Sequence, residues 1–146
     1  MRVRLIPLFA GLLLAYPVHA APSPVGNWLT EDRSGVIAIN QCGPYLCGRI
    51  VGMTEPRDAD GTPQHDIHGT PNCGLSILRD ATPNAQGHYE GHITDPSNGS
   101  VWRCTLWLDD AGRLNLRGYV LVPLLGETQI WTRYAGQVSP ACEMLP

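Results

Sequence analysis

The stretch HYEGHITDPSNGSVWRCTLWLDDAGRLNLRGYV, residues 88–120, decides how this chain folds. Runs of alternating side chains are separated by Pro96-Ser97-Asn98-Gly99 and by Asp110-Ala111-Gly112. Alternation with period two, broken by turn formers, is the signature of antiparallel hairpins. A slip of one residue would exchange the faces of a strand, so the register is the one that keeps each face uniform. With His88–Asp95 joined to Val101–Leu108, and Val101–Asp109 joined to Arg113–Val122, one face reads Tyr89, Ile93, Trp102, Cys104, Leu106, Leu108, Leu114, Leu116 and Val120. Gly91 and Gly118 flank Cys104 on that face and leave room beside its sulfur. The other face reads His88, Glu90, His92, Arg103, Thr105, Trp107, Asn115, Arg117 and Tyr119. A four-residue loop beginning at Asp109 would oppose Leu106 with Asn115 and mix the two. Gly112 suits the left-handed position of a three-residue loop.

Outward from this meander the same reading continues. Val36–Cys42 and Cys47–Met53 form a hairpin through Gly43-Pro44-Tyr45-Leu46, with Cys42 opposite Cys47 and Ile39 opposite Ile50. Opposed cysteines are close enough to bond, so a Cys42–Cys47 disulfide is expected. Asn27–Asp32, Leu75–Leu78 and Glu127–Tyr134 are further strands. No sustained helical period occurs after the first twenty residues. The fold class is all-β: a small antiparallel barrel of about eight strands, enough to close. Thr54–Asn72 lacks alternation, and loops of that length in a compact domain are more often functional or mobile.

The start of the chain reads differently. Met1-Arg2-Val3-Arg4 is basic, Leu5 to Ala15 is apolar, and Val18-His19-Ala20 offers small residues for cleavage. This is a secretory signal at residues 1–20, ahead of a single domain at 21–146. The apolar run is too short to span a bilayer, so no membrane span is expected. Periplasmic or secreted material is the expected form. Removal of Arg2 and Arg4 would take the formal net charge from −3 to −5. All ten basic residues are Arg, and no basic field for nucleic acid exists.

Five cysteines in an exported domain imply two disulfides and an odd thiol. Cys104, on the apolar face, should be buried. Cys142 lies on a Pro-broken tail and can reach several positions, so Cys104–Cys142 is the expected second bond, with Cys73 left over. Zinc is disfavoured by the absence of paired Cys-x-x-Cys motifs.

Gly26-x-Trp28 near the start and Arg133 near the end resemble the lipocalin arrangement, in which a guanidinium stacks on an indole at the closed end of a barrel. The broader order is more specific. Leu46-Cys47-Gly48-Arg49-Ile50, Asp58-x-Asp60-Gly61 with Asp66, Gly91-x-Ile93-x-Asp95-Pro96, Leu116-x-Gly118-Tyr119 and Gly126-x-Thr128-Gln129-x-Trp131-Thr132-Arg133 follow in turn. The set resembles the secreted bacterial domain-of-unknown-function family DUF2147 over essentially the whole exported chain. The resemblance implies a lipocalin-like barrel and carries no established activity or catalytic residues. Pro71-Asn72-Cys73 and Gly118-Tyr119-Val120-Leu121 depart from its usual pattern, which marks Cys73, Cys104 and Cys142 as features of a subgroup.

Asp58, Asp60 and Asp66 with Gly61 are candidate calcium ligands, but their spacing is not that of an EF-hand, and a solvated Asp-Gly turn explains them better. His65 and His68 stand beside them in the same loop. His92, Arg103, Arg117 and Tyr119 are the candidate ligand-binding residues, since two guanidinium groups could grip a carboxylate or phosphate if their face turned inward. An antiparallel sheet with so apolar an opposite face would turn them outward. Ser76, Ser97 and Ser100 occupy no nucleophile elbow, and neither a phosphate loop nor a dinucleotide fingerprint occurs, so no cofactor is expected. The expected function is non-enzymatic binding of a small apolar or amphipathic ligand. The alternatives are an envelope protein-interaction module using residues 54–72, and a thiol or hydrolytic enzyme centred on Cys73.

Overall fold

The computed structural model describes residues 22–146; the expected signal peptide lies outside the described residues. Eight strands follow in order: β1 Gly26–Leu29, β2 Gly35–Cys42, β3 Tyr45–Met53, β4 Ser76–Pro83, β5 Tyr89–Thr94, β6 Val101–Leu108, β7 Leu114–Tyr119 and β8 Glu127–Arg133. Each pairs antiparallel with the next, and β1 pairs with β8 to close a barrel. Closure removes the unpaired edges that an open sheet would expose.

The meander has the registers expected from face consistency. Gly91 stands opposite Cys104, Leu106 opposite Leu116, and Leu108 opposite Leu114. The first hairpin is different. Its turn has two residues, not four: Cys42 faces Tyr45, Asn40 faces Cys47, and Ile37 faces Ile50. Gly43 at φ 63° takes the first central position of the turn, where glycine carries no steric penalty. From Ile37 to Cys42 the shift relative to the expected pairing is two residues, so these side chains keep their faces; a bulge between Val36 and Ile37 resets the pairing before them. Cys42 and Cys47 bond across a diagonal, with Cα atoms 5.8 Å apart.

The second disulfide is a correction. Cys142 bonds Cys73, not Cys104. Gly74 N donates to Ile50 O, and Met53 N donates to Cys142 O, so both cysteines are fastened beside the end of β3. Their Cα atoms are 5.6 Å apart. Val138 and Met144 of the tail rest on Gly52, where a Cβ would displace both. Cys104 is the free thiol, wholly buried inside the barrel.

Core side chains pack inside the barrel. Trp28, Ile39, Leu78, Leu106 and Leu114 are fully buried there. β4 and β5 approach closely at Gly91, where a Cβ would meet Arg79 O at 2.6 Å and Ala81 Cα at 2.9 Å. The room expected beside Cys104 is therefore taken by backbone on the Gly91 side. On the Gly118 side it is open, since a Cβ there would meet only Trp102 Cβ, at 3.9 Å.

Candidate ligand cavity and the two ends of the barrel

The turns β2–β3, β4–β5 and β6–β7 gather at one end with the start of β1 and the end of β8. Here Arg133 sets its guanidinium 4.0 Å from the centroid of the Trp28 ring. Arg133 Nη1 donates to Val25 O at 2.7 Å and Nη2 to Ser23 O at 2.6 Å, while Trp28 Nε1 donates to Pro24 O at 2.8 Å. Gly26 has φ 135°, and a Cβ on it would collide with Arg133 Nη1. The glycine two places before the tryptophan is thus a space reserved for the guanidinium.

The opposite end holds the loops β1–β2, β3–β4, β5–β6 and β7–β8, and a cavity of about 570 Å³ opens between them. Ile77, Ile93, Trp102, Leu116 and Trp131 form its apolar walls. Thr30, Asp95, Glu127 and Gln129 contribute polar atoms. Gly118 leaves part of the space unfilled, and Leu125-Gly126 bring the β7–β8 loop to the rim. Trp131 is held in place by its Nε1, which donates to Gln129 Oε1 at 2.9 Å. Asp95 accepts from Ser97 N at 2.9 Å, from Ser97 Oγ and from Asn98 Nδ2, which fixes the β5–β6 turn.

The candidate binding residues His92, Arg103, Arg117 and Tyr119 are neighbours on the outer wall. His92 faces Arg103, and Arg103 faces Tyr119. The Arg103 guanidinium lies 5.5 Å from the Tyr119 ring centroid. Arg117 donates from Nε to Pro123 O at 2.6 Å, from Nη1 to Thr128 Oγ1 at 2.8 Å and from Nη2 to Leu124 O at 3.2 Å. None of the four lines the cavity; the inward facing that an anion pocket within the barrel requires is not met. Arg117 has a different task, to hold the β7–β8 loop.

The strand expected to run to Val122 ends at Tyr119. Val120 to Leu125 swing out through a single 3-10 turn, Pro123–Leu125. Leu121, Leu124 and Leu125 are 74%, 85% and 73% exposed, an apolar lip beside the cavity. Pro123 and Gly126 were the available signals of a break.

The β3–β4 segment folds as two tight turns, bridged at Arg57–Pro63 and His65–Pro71. Asp60 accepts from Thr62 N and Oγ1, and Asp66 from His68 N and Thr70 N. Those hydrogen bonds lower both carboxyls below the usual range, the first led by the Thr62 hydroxyl and the second by the Thr70 amide. Asp60 and Asp66 thus brace the turns with their carboxylates, and Asp58 O accepts from Gly61 N; among the described residues no three His, Cys, Asp or Glu side chains are grouped to hold a metal. Ile67 from this segment lies against Gly99 of the β5–β6 turn. Cys73, the expected odd thiol, is bonded to Cys142, and the free thiol of Cys104 is pushed up to about 12 by burial.

Residues 26–133 match the profile of DUF2147, described as "Uncharacterized protein conserved in bacteria". Among solved structures, protein HP1028 from Helicobacter pylori, described as belonging to the lipocalin family, is similar with a TM-score of 0.64. The identity is 15%, over 79% of this chain and 85% of that one. At this identity the likeness is one of fold, and the fold is a lipocalin-like barrel. No curated protein matches the sequence.

Proposed function

We propose that this chain, which belongs to the DUF2147 family, is a secreted or periplasmic binding protein that takes a small apolar or amphipathic ligand into the open end of its barrel. The observation that carries this reading is the cavity of about 570 Å³ walled by Ile77, Ile93, Trp102, Leu116 and Trp131. Small-molecule sites are typically concave, mainly apolar and roughly 300–1,000 Å³ in size, with a few placed polar groups. Barrels of eight strands have room for one such ligand. Two disulfides and a bacterial family support an extracytoplasmic location. A thiol enzyme finds no support: Cys73 is in a disulfide, and Cys104 is buried with too high a pKa to supply thiolate.

Mass spectrometry of an organic extract of the purified protein should show a stoichiometric small molecule. Titration of the emptied protein with the neutral fluorophore N-phenyl-1-naphthylamine should show saturable uptake. Gly118→Leu fills open cavity at an unstrained backbone position, and should weaken that uptake at least tenfold with circular dichroism unchanged. An empty barrel that takes up no probe overturns the proposal. An empty barrel with an envelope protein captured on residues 54–72 would replace it by a docking role.

A further inference from the structure

We infer that the cavity selects amphiphiles whose polar end is cationic, a refinement that rests on the ligand-binding reading above. The ionisable groups in the cavity lining are Asp95 and Glu127; no Arg or His is among them, and the sequence has no Lys. Both stand where a ligand's polar end would emerge, Asp95 in the β5–β6 turn and Glu127 at the first residue of β8. Trp102 and Trp131 add indole faces to the same lining. Carboxylates and indole faces are the surfaces to which an ammonium group is drawn.

The same sign extends over the whole open end. The β1–β2 loop sets Glu31 and Asp32 against Arg33. The β3–β4 segment sets Glu55, Asp58, Asp60 and Asp66 against Arg57, with His65 and His68 between. With Asp95 and Glu127, and with Glu143 bridged to Met53 at the end of β3, nine of the thirteen carboxylates in the sequence lie on segments at this end, against two loop guanidinium groups. Arg103 and Arg117 are also near this end, but on the outer wall, turned to Tyr119 and to the loop carbonyls. A cleft with low-dielectric walls and one sign of charge around it concentrates ligands of the opposite sign. An anionic head group would have to enter against that field with no cation in the lining to receive it.

The test is displacement of N-phenyl-1-naphthylamine from the purified protein by three twelve-carbon amphiphiles below their micelle concentrations. Dodecyltrimethylammonium should displace the probe at concentrations at least tenfold lower than dodecanoate, with neutral dodecanol between them. The preference should shrink in high salt and in Glu127→Gln. Glu127 is exposed, so this change leaves the core untouched. Equal displacement by all three, or a preference for dodecanoate, overturns the cationic selection and leaves the apolar cavity standing. If the probe is not taken up at all, the ligand-binding reading fails first, and the refinement with it.

Discussion

Arg133 is the side chain that joins the first and last strands at the floor of the barrel. Its guanidinium is stacked on Trp28 and donates to the carbonyls of Ser23 and Val25. Arg133→Ala should cost about 2 kcal/mol in a urea titration, from the lost cation–π contact and unsatisfied carbonyls. Arg133→Lys should recover part of this, because an ammonium restores charge but not the planar stack or the fork of donors. Gly26→Ala should be destabilising too, since the new methyl occupies the place of Arg133 Nη1 at a backbone angle that side chains avoid. Combined with Arg133→Ala it should cost less than the sum, because the collision is then gone; strict additivity would break this account of the glycine. Cys104 provides a second check at this scale. Desolvation raises its pKa to about 12, against a weak opposing hydrogen bond from Gly91, so a bulky maleimide should label it only after denaturation. Fast labelling in the native protein would place β6 the other way round.

Between residues and the molecule stand the hairpins, and they show what alternation can and cannot specify. In the β6–β7 hairpin the competing register differed by one residue, and the uniform face of Leu106, Leu108, Leu114 and Leu116 decided it. In the β2–β3 hairpin the competing registers differed by two. Ile37, Ile39 and Ile50 face inward in both, so only the Gly43-Pro44 turn could choose between them. The same logic left the second disulfide illegible: alternation places Cys104 inside, but not the tail that carries Cys142 to β3. The two bonds should differ in effect. Cys42–Cys47 closes a loop of separation 5 and Cys73–Cys142 one of separation 69. Replacing each pair by Ser should cost about 2 and about 4 kcal/mol respectively, if loop entropy dominates. Equal midpoint shifts in urea would count against that. The turns make a pH prediction. The Thr30 hydroxyl, with the amide and hydroxyl of Ser34, holds the Asp32 carboxyl below 3.8. Asp109 is lowered likewise, first by the Arg113 amide. A carboxyl with a depressed folded pKa stabilises above its unfolded value, and that contribution is lost as pH falls through the folded one. Urea midpoints should thus be flat from pH 7 to about 5 and fall below about pH 4, the more steeply the more of these turns are intact.

At the scale of the molecule, the barrel was legible because its strands are joined in sequence order, each hairpin readable from its own turn. The cavity was not. Alternation tells on which side of the sheet Leu116 and Trp131 lie, but not whether eight strands supply enough side-chain volume to fill the space they enclose. Gly118 and the outward turn of Val120–Leu125 leave it unfilled, and neither signals this locally. The outer-wall place of Arg103 and Arg117 does follow from alternation, whereas the Arg117 clasp on the β7–β8 loop is a tertiary contact. Sequential pairing has a further consequence, which lies in kinetics. Seven of the eight interstrand contacts are between neighbours in the chain; the eighth, β1 with β8, registers only Trp28 with Arg133 and Leu29 with Thr132. Arg133 reaches Val25 across a separation of 108 residues. Local hairpins can form before the first and last strands meet, so this seam should close after the rate-limiting barrier to folding. Arg133→Ala should then accelerate unfolding and leave the refolding rate nearly unchanged in a denaturant chevron. The clasp at the floor would act on how long the barrel stays shut, and hardly at all on how fast it is made.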